Sequence, residues 1–135
     1  FQVIQKMKEE GIPVVVWLAP FLPYINDSFE NFKSLLEFCV RVKVEGIICF
    51  GIGLTLRNGN REYFYEKLDR FFPGLKEKYI KEFGMNYEIT SSNSKKIMEY
   101  FYKTCRENNI LCTIDECFSF LNKFPEEQSG QLELF

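Results

Sequence analysis

Two short runs of apolar, largely β-branched residues limit the folds that are open to this chain of 135 residues. The first is "IPVVVWLA", residues 12–19, and the second is "IICFGI", residues 47–52. Runs without polar alternation are typical of strands covered on both faces, as in parallel sheets. Parallel strands need a crossover connection, which a helix usually supplies. The two runs therefore predict an α/β fold with parallel strands and flanking helices.

Helical periodicity occupies most of the remaining sequence. Asp27 and Glu30 have the spacing of a capping box ahead of an amphipathic pattern that reaches Lys43, which predicts a helix between the two strands. Other helical patterns precede residue 11 and follow at 60–72, 95–107 and 116–123, with a short helix that ends at Gly84 and a third short strand at 110–114. Residues 125–131 form a polar tail, and the chain ends in "QLELF".

The helix predicted at 60–72 has a charged face and an aromatic face. Asn60 is predicted as its N-cap. Arg61 is predicted to lie on the solvent-exposed, charged face. The residues predicted to point inward are Phe64, Leu68, Phe71 and Phe72.

Composition excludes several classes of function. The formal net charge is −2, which gives no long-range attraction for a nucleic-acid backbone. Histidine is absent, so the residues offer no Ser-His or Cys-His catalytic pair, and no catalytic residue is assigned. The five cysteines form no CxxC cluster and are predicted to be buried, free thiols, so no metal ligand is assigned either.

The sequence also bears on location. An odd number of cysteines is typical of a reducing compartment. No apolar run approaches the roughly 20 residues that cross a bilayer, and residues 1–10 lack the layout of a signal peptide. We therefore expect a cytoplasmic protein without a membrane partner.

Two loops follow the predicted strands and are the places where a ligand site is expected. They are "APFLPYIND", residues 19–27, and "GLTLRNGNR", residues 53–61. In parallel α/β folds ligands gather at the carboxyl ends of the strands. Pro20 and Pro23 would give the first loop a fixed path, which also suits a stiff structural turn. Arg57 in the second loop could pair with a carboxylate or phosphate, or with a surface glutamate.

The string "LTLRNGNREYFYEKLDRFFPGLKEKYIKEFG", residues 54–84, together with "GIPVVVWLAPFLPYIND" upstream and the terminal "QLELF", resembles a known family. It is similar to the C-terminal part of radical SAM proteins of the spore photoproduct lyase-like group, often described as DNA repair photolyase-like. The resemblance covers nearly all of the chain. It implies the closing part of a partial (β/α)6 barrel at residues 1–89, with a C-terminal helical extension and tail at 90–135.

The resemblance also implies cofactors for the full-length parent. Members of that superfamily hold a 4Fe-4S cluster on a CxxxCxxC loop and cleave S-adenosylmethionine reductively. This chain has no such motif, so the cluster ligands are expected in a missing N-terminal half, and no cofactor is expected in this chain alone. By analogy residues 14–19 would form the fifth strand of the barrel and residues 47–52 the sixth.

Site residues follow from that analogy. Leu18, Ala19 and Pro20 would contact the adenosyl group, and Gly51 and Gly53 would allow close approach of the backbone to the cofactor. Two further residues, Arg57 and Asn58, would face the substrate side.

Two hypotheses for function remain open from the sequence. The first is that the chain is the C-terminal fragment of a radical SAM enzyme, lyase-like and inactive alone, whose main partner is its own N-terminal half. The second is a nonenzymatic interaction domain that self-associates through an exposed strand edge, because aromatic residues make up 17% of the chain and two or three strands leave open edges. The substrate, and whether the parent binds DNA, are not determined by these residues.

Overall fold

The structure, a computed structural model, describes residues 1–123. Within this range the chain forms six helices and four strands of three residues each. The helices are α1 Gln2–Glu9, α2 Phe29–Val42, α3 Asn60–Phe71, α4 Leu75–Phe83, α5 Ser94–Glu107 and α6 Ile114–Leu121, and the strands are β1 Val15–Trp17, β2 Gly46–Ile48, β3 Gly53–Thr55 and β4 Glu88–Thr90. This mixture of elements confirms the predicted α/β class.

The described chain divides into two compact units, each built from segments that are distant in sequence. Unit 1 contains Phe1–Leu18, Cys39–Cys49 and the described chain from Tyr102 onward. Unit 2 contains Ala19–Phe38 and Phe50–Phe101. The division into domains at 1–89 and 90–135 stays a prediction, and the predicted polar tail with its terminal "QLELF" lies outside the described residues.

Unit 1 is organised around a parallel pair of strands. Val16 of β1 lies opposite Ile47 of β2, and the two strands run in the same direction as predicted. A single parallel bridge joins Gly46 to Leu111 on the other side of β2. All three residues of β2 are buried. Within unit 1, β2 therefore lies between β1 and Leu111. Among the described strands, β1 pairs with β2 alone.

Both predicted strands are shorter than their apolar runs. Pro13 has no amide hydrogen, and the Val14 amide donates to the Glu45 carboxylate at 2.6 Å instead of to a neighbouring strand. β1 therefore begins one residue later than Val14. After β2 the chain leaves strand geometry, and Gly51 has a φ of +126°. The third predicted strand is reduced to the bridge at Leu111.

Glu45 joins α1 to the start of the parallel pair. Its carboxylate accepts hydrogen bonds from the Lys8 ammonium group and from the Val14 amide. Burial by itself raises the pKa of Glu45, but the hydrogen bonds from Lys8 and Val14 outweigh burial and hold that pKa below its usual value. The ionised form of Glu45 is therefore part of the folded structure.

Unit 2 contains an antiparallel ribbon that the sequence analysis did not predict. β3 and β4 pair with Leu54 opposite Ile89. Ile89 is buried in a cluster with Leu56, Leu68 and Tyr79, against which Leu54 also packs. Because side chains alternate along a strand, the other face of the ribbon presents a second set of residues. These are Gly53, Thr55, Glu88 and Thr90.

The N-terminus of α2 is capped by a different residue from the one predicted. Ser28 is the N-cap, since its hydroxyl accepts a hydrogen bond from the Asn31 amide at 3.2 Å. Asp27, which was predicted to form a capping box with Glu30, is buried and accepts hydrogen bonds from the Tyr24 amide and the Ser91 hydroxyl. The prediction was wrong by one residue because Ser and Asp are both good caps and stand next to each other.

Helix α3 has a different buried face from the one predicted. Leu68 is buried as expected, but Phe71 and Phe72 are exposed. Arg61, predicted to lie on the solvent-exposed face, is buried. Residues 61 and 68 are seven positions apart and therefore share a helix face, whereas the two phenylalanines lie where the helix ends. Asn60 is the first helical residue, and Gly59 occupies the cap position.

None of the helices within residues 1–123 has both the length and the apolar composition needed to cross a membrane.

Candidate functional site

A groove of about 430 Å³ lies within unit 2. Its lining comes from the segment after β1, the segment after β2, the β3–β4 ribbon and the start of α5. The lining residues are Ala19, Pro20, residues 50–55, residues 88–90 and Ser94. The loop that leaves each of the two parallel strands at its carboxyl end thus contributes to one cavity, which is the arrangement expected for ligand sites in α/β proteins.

Four of the predicted cofactor residues line this groove, namely Ala19, Pro20, Gly51 and Gly53. Leu18 does not line it. That residue belongs to unit 1, is buried, and donates its amide hydrogen to the Ile48 carbonyl at 2.9 Å as a continuation of the sheet.

The two residues predicted to face the substrate are outside the lining of the groove. Arg57 and Asn58 are both exposed. The Arg57 Nε donates to the hydroxyl of Tyr87 at 3.1 Å, so part of its hydrogen-bonding capacity is used within the protein. The role of both residues on a substrate side stays a prediction.

The two glycines of the groove have different structural reasons to be glycine. A Cβ at Gly53 would stand 2.1 Å from the Ile89 carbonyl oxygen, so the close pairing of β3 with β4 requires a residue without a side chain. A Cβ at Gly51 would meet no atom within 4 Å, but the φ of +126° at this residue favours glycine. Gly51 therefore leaves open space at the groove, whereas Gly53 is explained by strand packing.

Polar residues of the groove were missed from sequence. Thr55, Glu88, Thr90 and Ser94 line it together with the predicted residues. The alternation Glu88-Ile89-Thr90 has the period of a strand, but three residues are too few to distinguish a strand from a polar loop. The pairing of β4 with β3 places Thr55, Glu88 and Thr90 on one face of the ribbon.

A buried arginine fixes the segment that leads into β4. The Arg61 guanidinium donates to the Asn86 carbonyl at 2.7 Å and to the Met85 carbonyl at 3.2 Å. It also donates to the Leu56 carbonyl at 3.3 Å and the Gly84 carbonyl at 3.4 Å. Backbone carbonyls thus take the place of a carboxylate partner, and they hold the turn after α4 against the end of β3.

The loop with the two prolines is held by its own hydrogen bonds. The Asn26 side chain accepts from the Leu22 amide at 2.5 Å and donates to the Pro20 carbonyl at 3.2 Å. The Pro23 carbonyl accepts from the hydroxyl of Tyr79, a fully buried ring, at 2.6 Å. The loop is therefore a fixed turn at the edge of the groove, which agrees with the structural interpretation of its prolines.

The cysteines contribute no reactive group within the described residues. All five are free and buried. Burial raises the pKa of Cys39 to about 11 and that of Cys105 to about 12, so both stay protonated thiols at neutral pH. The described residues also contain no group of Cys, Asp or Glu side chains arranged to hold a metal ion. Among the described residues, no nucleophile is therefore paired with a base in this groove.

Comparison with known proteins finds no family model, no curated protein and no solved structure that matches this chain.

Proposed function

We propose that the chain is the C-terminal part of a radical SAM enzyme and that its groove forms one wall of the S-adenosylmethionine pocket. One observation supports this most directly: the segments that follow β1 and β2, two parallel strands, line the same groove. In this proposal β1 and β2 are the fifth and sixth strands of a partial (β/α)6 barrel. The family resemblance of residues 54–84 supports the same assignment.

The lining residues fit an adenosyl group. Pro20 and Phe50, two exposed residues of the lining, supply apolar surface for a planar base. Gly51 leaves the space beside its backbone open. Hydroxyl groups from Thr55 and Thr90 can form hydrogen bonds with ribose.

Within this proposal each part of the chain has a limited task. Bound to a 4Fe-4S cluster, S-adenosylmethionine supplies reductive cleavage chemistry. The groove residues bind and orient it, and the hydrogen-bonded loop at Pro23 keeps the wall rigid. A cluster that leaves one iron open needs three thiolates, so the proposal places the cluster ligands in a preceding part of the parent protein.

The test uses the full reading frame of the parent. After anaerobic reconstitution with iron and sulfide, dithionite is added and 5'-deoxyadenosine is measured. We expect cluster absorbance and cofactor cleavage. Absence of both would reject the proposal.

A variant in the groove tests whether this chain takes part in binding S-adenosylmethionine. Gly51→Val introduces a side chain into the open space at a φ that valine rarely adopts. We expect weaker S-adenosylmethionine binding in equilibrium dialysis, with the cluster absorbance unchanged. Gly59→Val is the matched control, since Gly59 also has positive φ and open surroundings but does not line the groove.

A second function is supported by the edge of β1. Among the described strands β1 pairs only with β2, and the Trp17 side chain at its end is 56% exposed. An open strand edge beside exposed aromatic surface favours pairing with another chain. In this alternative the protein is a nonenzymatic domain that self-associates.

Size-exclusion chromatography with light scattering tests the alternative. A chain that stays monomeric at high concentration would count against self-association. A dimer agrees with both proposals, because an isolated part of a barrel can also pair through its open edge. Hydrogen exchange tests the alternative further, because self-association through β1 predicts protection of its outward amides in the dimer. A dimer that leaves these amides unprotected would count against the alternative.

A further inference from the structure

The polar face of the β3–β4 ribbon gives the groove a negative electrostatic character. Glu88 is the one charged residue among the described residues that line the groove. The other polar side chains in the lining are the hydroxyls of Thr55, Thr90 and Ser94. A ligand in this groove therefore meets one carboxylate and three hydroxyl groups.

The charge of Glu88 is not compensated by a neighbouring side chain. None of the ion pairs in the described part of the chain includes it. Arg57, two residues after the end of β3, donates from its Nε to the hydroxyl of Tyr87. The exposed Glu88 carboxylate is therefore outside the ion pairs of the described residues.

The start of α5 acts in the opposite direction but more weakly. Ser94 is the first residue of this helix and also lines the groove. A helix N-terminus is equivalent to roughly half a positive charge, which is less than the full negative charge of a carboxylate. Among the described residues that line the groove, the one full charge is therefore negative.

We propose that Glu88 makes this groove selective for a positively charged, hydroxyl-bearing ligand over an anionic one such as a nucleotide phosphate. This inference rests on the proposed function in so far as the ligand is a cationic nucleoside. The carboxylate attracts a sulfonium or ammonium group. The threonine hydroxyls pair with the diol of a sugar.

The experiment compares ligands that differ mainly in charge. S-adenosylmethionine has a sulfonium cation, S-adenosylhomocysteine lacks that charge, and adenosine 5'-monophosphate is an anion. Binding of each to the chain is followed by saturation-transfer NMR at millimolar ligand. We expect affinity to fall in the order cation, uncharged thioether, anion.

Substitution of Glu88 tests the residue itself. In Glu88→Gln we expect the affinity for S-adenosylmethionine to drop by about two- to fivefold, the size of an exposed charge pair, and the preference over the monophosphate to narrow. Glu99→Gln is the matched control, because Glu99 is exposed on α5 and does not line the groove. Unchanged selectivity in Glu88→Gln, or equal binding of the cation and the anion to the native chain, would overturn the inference.

A sugar pair separates this inference from the cofactor proposal. Glucosamine and glucose 6-phosphate have no adenine, but they differ in charge. If the adenosyl compounds do not bind and glucosamine binds in a manner that depends on Glu88, the charge selectivity stands without the cofactor proposal, which the reconstituted parent then decides. If S-adenosylmethionine binds equally to the native chain and to Glu88→Gln, the cofactor proposal stands and this inference fails. Failure of every cation to bind would reject the inference.

Discussion

The parallel pair β1–β2 and the antiparallel ribbon β3–β4 each contain three opposed residue pairs, but different contacts hold them. In the parallel pair all residues of β2 are buried, and apolar packing covers the strand. In the ribbon one face packs on the core through Ile89, while the other face is polar and lines the groove. The stability of the parallel pair depends on the burial of apolar side chains, whereas that of the ribbon depends on single residues that fix its backbone.

This difference shows why a ligand site can form on the ribbon. A strand that is covered on both faces has no surface left for a ligand. The ribbon exposes one face because its backbone is held from elsewhere, by the close approach at Gly53 and by the carbonyl contacts of Arg61. The groove therefore depends on residues that need not touch a ligand.

The largest expected effect is that of Gly53→Ala, which would break the ribbon. The new Cβ would stand 2.1 Å from a backbone oxygen of Ile89, and a backbone atom cannot rotate away. We expect a loss of about 3 to 4 kcal/mol in the free energy of unfolding, measured by urea denaturation.

Gly46→Ala is the matched comparison for the parallel pair. Its new Cβ would meet the buried Cys117 sulfur at 2.9 Å and the Leu111 Cβ at 3.3 Å, and these overlaps are smaller than the 2.1 Å approach at Gly53. We expect a loss of about 1 kcal/mol. Equal losses for the two variants would contradict the view that the ribbon is held by its backbone contact.

The next effect is expected at Arg61→Met, which removes the guanidinium and leaves backbone carbonyls unsatisfied. We expect a loss of about 2 to 3 kcal/mol, with Arg61→Lys intermediate because lysine has fewer donors. The Leu56 amide, which donates to the Tyr87 carbonyl, should lose protection from hydrogen exchange. Arg70→Met on the exposed side of α3 should change stability by less than about 0.5 kcal/mol, and a similar loss there would argue against a specific role for Arg61.

A smaller effect, confined to unit 1, is expected from acid. The pKa of Glu45 is lower in the folded state than in the unfolded chain, so its contribution is complete above its usual pKa and is lost as the pH falls through the lowered value. Glu45→Gln should remove this part of the pH dependence and cost about 1 to 2 kcal/mol at neutral pH. Denaturation curves at several pH values measure both the loss of stability at neutral pH and the change in its pH dependence. An unchanged acid transition in the variant would show that other carboxylates are responsible.

The smallest expected effect is at the cap of α6. The Thr113 hydroxyl accepts from the Glu116 amide at 3.2 Å, and the Glu116 carboxylate accepts from the Thr113 amide at 3.0 Å. Thr113→Ala should cost about 1 kcal/mol, and Ser119→Ala on the exposed surface of the same helix should cost less. If Thr113→Ala and Ser119→Ala lose the same free energy of unfolding, the capping box contributes little to the stability of the segment that follows Leu111, the residue that bridges to β2.

Prediction from sequence succeeded for the elements that depend on local apolar composition. Strands with apolar runs were found, with the parallel direction. Pro20 and Gly51 of the following loops lie in the lining of the groove, and their contact with a ligand stays a prediction. Prediction from sequence failed where an outcome depended on contacts between distant segments. Nothing local in "REYFYEKL" indicates that Arg61 meets three carbonyls more than twenty residues later.

The polar face of the ribbon was missed for a related reason. Glu88 and Thr90 form a face only because β4 pairs with β3, and a strand of three residues is too short to be distinguished by alternation. The capping prediction at Asp27 failed because its carboxylate is used by Ser91, a residue far away in the sequence. Long-range partners therefore decided the details of the site.

The carbonyl contacts of Arg61 have a consequence for sequence variation. The rigid, planar guanidinium group contacts the carbonyls of three successive residues, Gly84, Met85 and Asn86. These contacts require a fixed number of residues in the turn between α4 and β4. An inserted or deleted residue would misalign those oxygens, whereas a changed side chain would not. In proteins that keep this arginine, we expect the turn to tolerate substitutions freely and to conserve its number of residues.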